Sequence, residues 1–171
     1  MHLSFDNNTS KQQVLHSVEE MLNSVNLDVV KKDFERPWGG FFVIDESQTA
    51  DFLRLFFPAL NPAELLNGNK LSPKILVVAP NKRLSWQYHH RRAELWRVIG
   101  GHAGVITSDN DEETELQHLA LHESITLKQG ERHRLIGLNE YGIVAEIWQH
   151  TQPEAPSDED DIVRLQDDFG R

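Results

Sequence analysis

From Lys74 to Gln149 the chain is a succession of short apolar runs: "KILVVA", "LSWQYH", "LWRVIG", "AGVITS", "ELQHLALH", "SITL", "RHRLIG" and "GIVAEIWQ". Most of them stop within a few residues at Gly, Asn or Asp. Runs this short, broken this regularly by turn residues, select strands over helices. The pattern predicts a mainly β fold, a sandwich or a barrel.

The part before Lys74 has a different texture. "SKQQVLHSVEEMLNSV" places Val14, Val18, Met21, Leu22 and Val25 at helical spacing, and Ser10 with Gln13 resembles a capping box. This predicts an amphipathic helix from about 11 to 24. "RPWGGFFVI" starts with a turn signal and runs into a strand. "SQTADFLRLFF" predicts a second helix, capped by Ser47 and stopped by Pro58. "NPAELLNG" predicts a third, with Asn61 as cap, Pro62 at the first helical position and Gly68 at the end. After the barrel, "TQPEAPSDEDD" reads as a polar connector. "DIVRLQDDFGR" sets Ile162, Leu165 and Phe169 on one helical face. No internal repeat or low-complexity tract is present, and no helix follows Gly100-Gly101 to make a phosphate loop.

A length of 171 residues suits one domain with a real core. The expected organisation is a single domain over 1–171. It comprises an N-terminal helical extension (1–35), a barrel (36–150) with a helical insertion at about 45–70, and a C-terminal tail (151–171). A net charge of −10 argues against general binding to nucleic acid or a membrane surface. An anionic ligand would have to be held by a few local arginines. The absence of cysteine excludes disulfides, thiolate metal sites and cysteine nucleophiles. The start "MHLSFDNNTSKQQ" lacks the pattern of a signal peptide, and no apolar run approaches the roughly 20 residues that span a bilayer. The expected location is cytoplasmic.

The stretch "NKRLSWQYHHRRAELW", 81–96, concentrates the chemistry. In a strand, side chains alternate between faces. Ser85, Gln87 and His89 then share one face, and Trp86, Tyr88 and His90 share the other. After a tight turn at Arg91–Ala93, Glu94 starts the next strand beside His89. If a barrel brings His133 to the same point, the set is two imidazoles, a carboxylate and an amide oxygen. Such donors suit zinc, manganese, cobalt or nickel and leave positions open for water or a ligand oxygen. Spacing alone does not tie His133 to the other three. A hydrogen-bonded or surface histidine is the bland alternative.

These residues resemble the cupins, and most closely the cupin domain of mannose-6-phosphate isomerases, of the kind found at the C-terminal end of bifunctional isomerase/GDP-mannose pyrophosphorylases. In the first cupin motif Asn81 stands at the first glycine, Gln87-Tyr88-His89 at His-x-His, Glu94 at the glutamate and Gly101 at the last glycine. In the second, "KQGERHRLIG" keeps Gly130 and His133 but has Lys128 for proline and Gly137 for asparagine. "RPWGG", "KRLSWQYHHRRAELW" and "EDDIVRLQDDFGR" are similar to further family segments. The resemblance covers about 74–171 plus Arg36–Gly39. It departs in the helical insertion, in Arg91 at the family's third consecutive histidine, and in the lack of a nucleotidyltransferase segment before the cupin.

The resemblance implies a jelly-roll (double-stranded β-helix) barrel holding one divalent metal ion, zinc first, on Gln87, His89, Glu94 and His133. It implies a metal-dependent aldose–ketose isomerase acting on a small phosphorylated sugar, mannose 6-phosphate or fructose 6-phosphate. Arg92, Arg164 and Arg171 are the expected catalytic residues, with Lys82 and Arg83 as substrate-binding candidates. The general base stays open between a metal-bound water, Glu146 and His90. A non-catalytic cupin that binds a sugar or sugar phosphate is the alternative. An iron dioxygenase fits less well, because Gln87 takes the first ligand position. By family analogy a homodimer is expected.

Overall fold

A computed structural model describes residues 3–6 and 8–171. Helix α1 (Lys11–Ser24) precedes strands β1 (Val29–Asp33) and β2 (Gly39–Ile44). A 3-10 turn at Glu46–Gln48 opens helix α2 (Thr49–Phe56), and α3 (Pro62–Leu66) follows. Then come β3 (Leu71–Val78), β4 (Trp86–Tyr88), β5 (Arg92–Gly100), β6 (Ala103–Ser108) and β7 (Gln117–Leu119). The chain ends with β8 (Ser124–Leu127), β9 (Arg132–Gly137), β10 (Gly142–His150) and β11 (Val163–Gln166). Two antiparallel sheets result, in the orders β1-β2-β3-β10-β5-β8 and β11-β4-β9-β6-β7. Sequence neighbours such as β4 and β5, or β9 and β10, fall in opposite sheets. The chain therefore winds around a shared interior, as a jelly roll does.

The middle of the six-stranded sheet, strands β2, β3 and β10, is buried on both sides. The sheet's inner face sends Phe41, Leu76, Val78, Val98 and Val144 toward Val105 and Leu135 of the other sheet. Its outer face presents Phe42, Ile44, Ile75, Val77, Ile143 and Ile147 to a second cluster. Helices α1 and α2 cover that cluster with Val14, Leu15, Val18, Leu22, Phe52 and Leu53. This explains why "KILVVA" and "GIVAEIW" read as continuous apolar runs: neither face of β3 or β10 meets water.

Helix α1 begins as its sequence predicts. Ser10 Oγ accepts from Gln13 N at 3.2 Å, and Gln13 Oε1 accepts from Ser10 N at 2.9 Å. Ser10→Ala is expected to cost about 1 kcal/mol, lowering the melting temperature by roughly 2–4 °C. An unchanged melting temperature would show that packing alone sets this helix start.

Three local readings change. Asp45, not Ser47, caps the second helical segment, its carboxylate accepting from Ser47 N at 2.8 Å. Strand β5 begins at Arg92, so the turn before Glu94 is shorter than its sequence suggests. The C-terminal segment is a strand, although Ile162, Leu165 and Phe169 keep helical spacing. Strand β4 has an edge to satisfy, and β11 supplies the hydrogen bonds, with Val163 opposite Tyr88 and Arg164 opposite Gln87. Pairing of an edge strand outweighs a weak helical pattern. No helix among the described residues is long and apolar enough to cross a membrane.

Candidate metal centre and its cavity

Register brings the candidate ligands together. His133 on β9 lies directly opposite Gln87 on β4, which separation along the chain could not show. Glu94 comes from the other sheet, where Trp148 on β10 is its cross-strand partner. His89, just past β4, completes the group. His89, Glu94 and His133 each have a ligand atom within 4.8 Å of the others, and all three residues are buried.

Hydrogen bonds at the far side of each ring fix which nitrogen faces the centre. His89 Nδ1–H donates to the Asp161 carbonyl at 2.7 Å, and His133 Nδ1–H donates to the Glu131 carbonyl at 3.0 Å. Both Nε2 lone pairs are thereby turned inward, the usual way a protein aims a histidine ligand. Burial pushes the His89 imidazole down to about 4, so it is neutral at physiological pH. Burial pushes the Glu94 carboxyl up, but attraction to the neighbouring His89, Arg92 and His133 side chains outweighs this and holds it well below the usual carboxylate range.

The group fits a metal ion. Glu94 Oε2 and His133 Nε2 are buried and have no hydrogen-bond partner, an arrangement that is costly without a cation between them. His89 Nε2 lies 3.2 Å from Glu94 Oε1, and His133 Nε2 lies 3.5 Å from Glu94 Oε2. Ligands about 2.0–2.1 Å from one tetrahedral ion sit roughly 3.3 Å apart, which matches. Gln87 is adjacent: its Nε2 lies 3.4 Å from His89 Nε2, and its Oε1 accepts from Ser85 Oγ at 2.5 Å. A serine hydroxyl both donates and accepts, so Ser85 tolerates either orientation of that amide.

A cavity of about 420 Å³ opens beside this centre. Arg36, Lys74, Arg92, Arg164 and Arg171 line it, against Glu94, Glu146, Glu159 and Asp160. Most of these charges are paired. Lys74 reaches Glu159 at 2.6 Å, and Arg171 reaches Asp167 at 2.8 Å. Arg164 makes no ion pair among the described residues. Desolvation first, and the neighbouring Arg171 second, push its pKa down. Trp148 forms a wall, with Lys74 Nζ 3.7 Å and Arg92 Cζ 3.6 Å from its ring centre.

The other candidates are distributed as follows. Arg92 is buried in the cavity wall, with its Nε donating to Glu94 Oε1 at 2.7 Å. Arg83 is taken up by both oxygens of Asp168, and Lys82 is exposed; neither lines the cavity. His90 is turned outward, its ring edge-on to Tyr88. Glu146 is buried, its Oε1 accepting from Trp96 Nε1 at 3.0 Å. Burial and the nearby charge of Glu94 push it up to about 8, so at neutral pH it is mostly protonated and a poor base. Three contributors were invisible in the sequence. Lys74 sits in an apolar run, while Ser157 and Asp161 lie in the polar connector. Asp161 nonetheless anchors the turn after β4: its carboxylate accepts from His90 N, Arg91 N and Ser157 Oγ.

Residues 53–167 match the family model described as mannose-6-phosphate isomerase C-terminal. The chain belongs to this family. Its curated relatives include the xanthan biosynthesis protein XanB of Xanthomonas campestris, 32% identical over 136 residues, or 80% of this chain and 23% of that protein. The mannose-1-phosphate guanylyltransferase of Escherichia coli is 31% identical over 143 residues, 83% of this chain and 24% of that one. The alginate biosynthesis protein AlgA of Pseudomonas aeruginosa is 33% identical over 136 residues, 80% and 22%. This family member thus spans about a quarter of the length of the curated relatives it matches. Among solved structures, tomato vicilin covers 81% of the chain (35% of its own) at TM-score 0.53 and 16% identity. KdgF from Halomonas covers 76% (91% of its own) at TM-score 0.50 and 11% identity. Oxalate oxidase in complex with glycolate covers 78% (58% of its own) at TM-score 0.52 and 14% identity. These likenesses establish the cupin fold and nothing about chemistry.

The relatives overturn the expected activity. They are named as guanylyltransferases and as polysaccharide biosynthesis proteins, and what they share with this chain is a domain. Possession of that domain is no evidence of aldose–ketose isomerisation, and the isomerase assignment does not stand. Fold and motif identify a family here; they do not carry a reaction with them.

Proposed function

We propose that this chain is a metal-binding cupin whose cavity takes a phosphorylated sugar. One observation carries the reading. A buried pair of histidines and a carboxylate, with two acceptor atoms left unsatisfied, borders a cavity whose rim holds an excess of arginine. His89, Glu94 and His133 would hold the ion, with zinc the first choice among divalent metals and Gln87 the adjacent fourth donor. A bound ion there supplies Lewis-acid attraction for a sugar oxygen. Arg164, Arg171 and Arg36 would meet the phosphate, for which a planar guanidinium is well shaped. Relatives named mannose-1-phosphate guanylyltransferase are consistent with a hexose phosphate as the ligand.

The test is a thermal-shift series on metal-free and zinc-loaded protein. Mannose 6-phosphate, mannose 1-phosphate and fructose 6-phosphate are compared with mannose and with inorganic phosphate. A ligand at about 100 times its Kd stabilises by about 2.7 kcal/mol, which raises the melting temperature by roughly 5–10 °C. The expected result is such a rise for at least one sugar phosphate, smaller without zinc and absent with mannose. Equal shifts for mannose and its phosphates would remove the anion site from the reading.

A further inference from the structure

The charge nearest the metal centre belongs to the protein itself. Arg92 Nη2 donates to His89 Nε2 at 3.2 Å while its Nε donates to Glu94 Oε1 at 2.7 Å. The guanidinium is therefore spread over two of the three ligand residues. Both Nη1 hydrogens are also taken, one by Ser157 Oγ at 2.8 Å and one by the Asp158 carbonyl at 3.1 Å. Its flat face lies on Trp148. The side chain is 5% exposed, so this is a built seat and not a chance surface contact.

An imidazole nitrogen has one lone pair. His89 Nε2 is held by Arg92 or by a metal ion, not by both. Glu94 Oε1 has a second lone pair and is under no such restriction. The two acceptors left over, Glu94 Oε2 and His133 Nε2, are those Arg92 does not reach.

We propose that Arg92 is a resident cation that competes with the metal for His89, and that metal loading frees its Nη2 edge for an anion in the cavity. This rests on the metal and sugar-phosphate reading above and adds its regulation. A metal ion and an anion then help each other bind, because each favours the state in which Arg92 has left His89. The coupling is reciprocal by linkage. It also explains why an arginine, and not a neutral donor, lies against two ligands: its charge stabilises buried Glu94 in the metal-free protein.

The sign of one effect separates this from ordinary support of a ligand. A residue that only orients a ligand weakens metal binding when removed, typically by 10–100-fold. A competitor strengthens it. Zinc affinity is measured by competition with a chromophoric chelator for the full chain, for Arg92→Met and for Ser157→Ala. Methionine keeps the apolar stem over Trp148, and alanine at 157 loosens the guanidinium without removing it. The expected result is tighter zinc binding, by about tenfold in Arg92→Met, the size of one charged hydrogen bond, and a smaller gain in Ser157→Ala. Inorganic phosphate at millimolar concentration is expected to tighten zinc binding in the parent chain and to have less effect in Arg92→Met. If both variants bind zinc as well as the parent or more weakly, the competition is refuted while the metal site stands. If the parent binds no zinc, the underlying metal reading fails as well. Should Arg92→Met not fold without metal, the Ser157→Ala comparison and the phosphate effect on the parent chain decide the matter.

Discussion

In protein carrying His133→Gln, zinc affinity falls by at least about a hundredfold, beyond the 10–100-fold typical of residues that merely orient a ligand. The substitution removes one of three converging donors from a position with little freedom to compensate. The His133 ring is 2% exposed and stands edge-on to Trp96, with its centre 5.1 Å from that of His89. Glutamine is of similar size and can still donate to a nearby carbonyl. The metal-free variant should therefore melt within a few degrees of the parent, which separates loss of the site from loss of the fold. Chelator competition gives the affinity, and metal content of the purified protein gives an independent check. Undiminished zinc retention would mean that the ion is held elsewhere.

The second large effect concerns pH. A glutamate carboxyl ordinarily titrates near 4.5; burial first and Glu94 second push that of Glu146 up to about 8 in the fold. Between those two values the unfolded chain gives up this proton while the folded chain keeps it. Stability from this group is complete below about pH 4.5 and is lost as the pH rises toward 8. At about 1.36 kcal/mol for each pH unit between the two values, the loss amounts to a few kcal/mol by pH 8. Glu146→Gln cannot ionise and still offers Trp96 Nε1 an acceptor. The variant should match the parent near pH 4.5 and exceed it increasingly up to pH 8, in denaturant titrations of metal-free protein. A pH-independent difference would show that Glu146 is already ionised in the fold. On the acid side His89 works in the opposite direction. Its depressed value stabilises above about pH 6.5 and the benefit disappears as the pH falls to about 4.

Strands β3 to β10 were legible because turn residues punctuate them, whereas β11 was not; caps marked α1 and α3, and α2 was placed although its cap was misread. Alternation along "SWQYH" placed Ser85, Gln87 and His89 on one face, and the hydrogen bonds among them bear this out. What local pattern alone could not give depends on register between distant strands, and His133 was tied to the other ligands only through the family resemblance. His133 sits opposite Gln87 only because β9 and β4 pair at that residue, and no local pattern encodes it. The same applies to Lys74, whose neighbours are apolar in sequence while its cross-strand partner is Glu146. The connector 151–161 reads as solvated because it is acidic, yet Asp161 is 5% exposed and its carboxylate accepts three hydrogen bonds, from His90 N, Arg91 N and Ser157 Oγ. A carboxylate that folds back onto backbone amides looks the same in sequence as one facing water. Strand β1 also went unread, since "VVKKD" is short and charged at an edge.

The double burial of β3 and β10 leaves no neutral way for either strand to slide. Shifting β3 or β10 by a single step would exchange their two faces. Lys74 and Glu146, which face each other across that pairing, would be driven under α1 and α2 among phenylalanines and leucines. Isoleucines 75 and 147 would take their place against the His89–Glu94–His133 group. The polar residues that furnish the cavity thus double as alignment marks, so an error in assembling the barrel is penalised at the cavity itself.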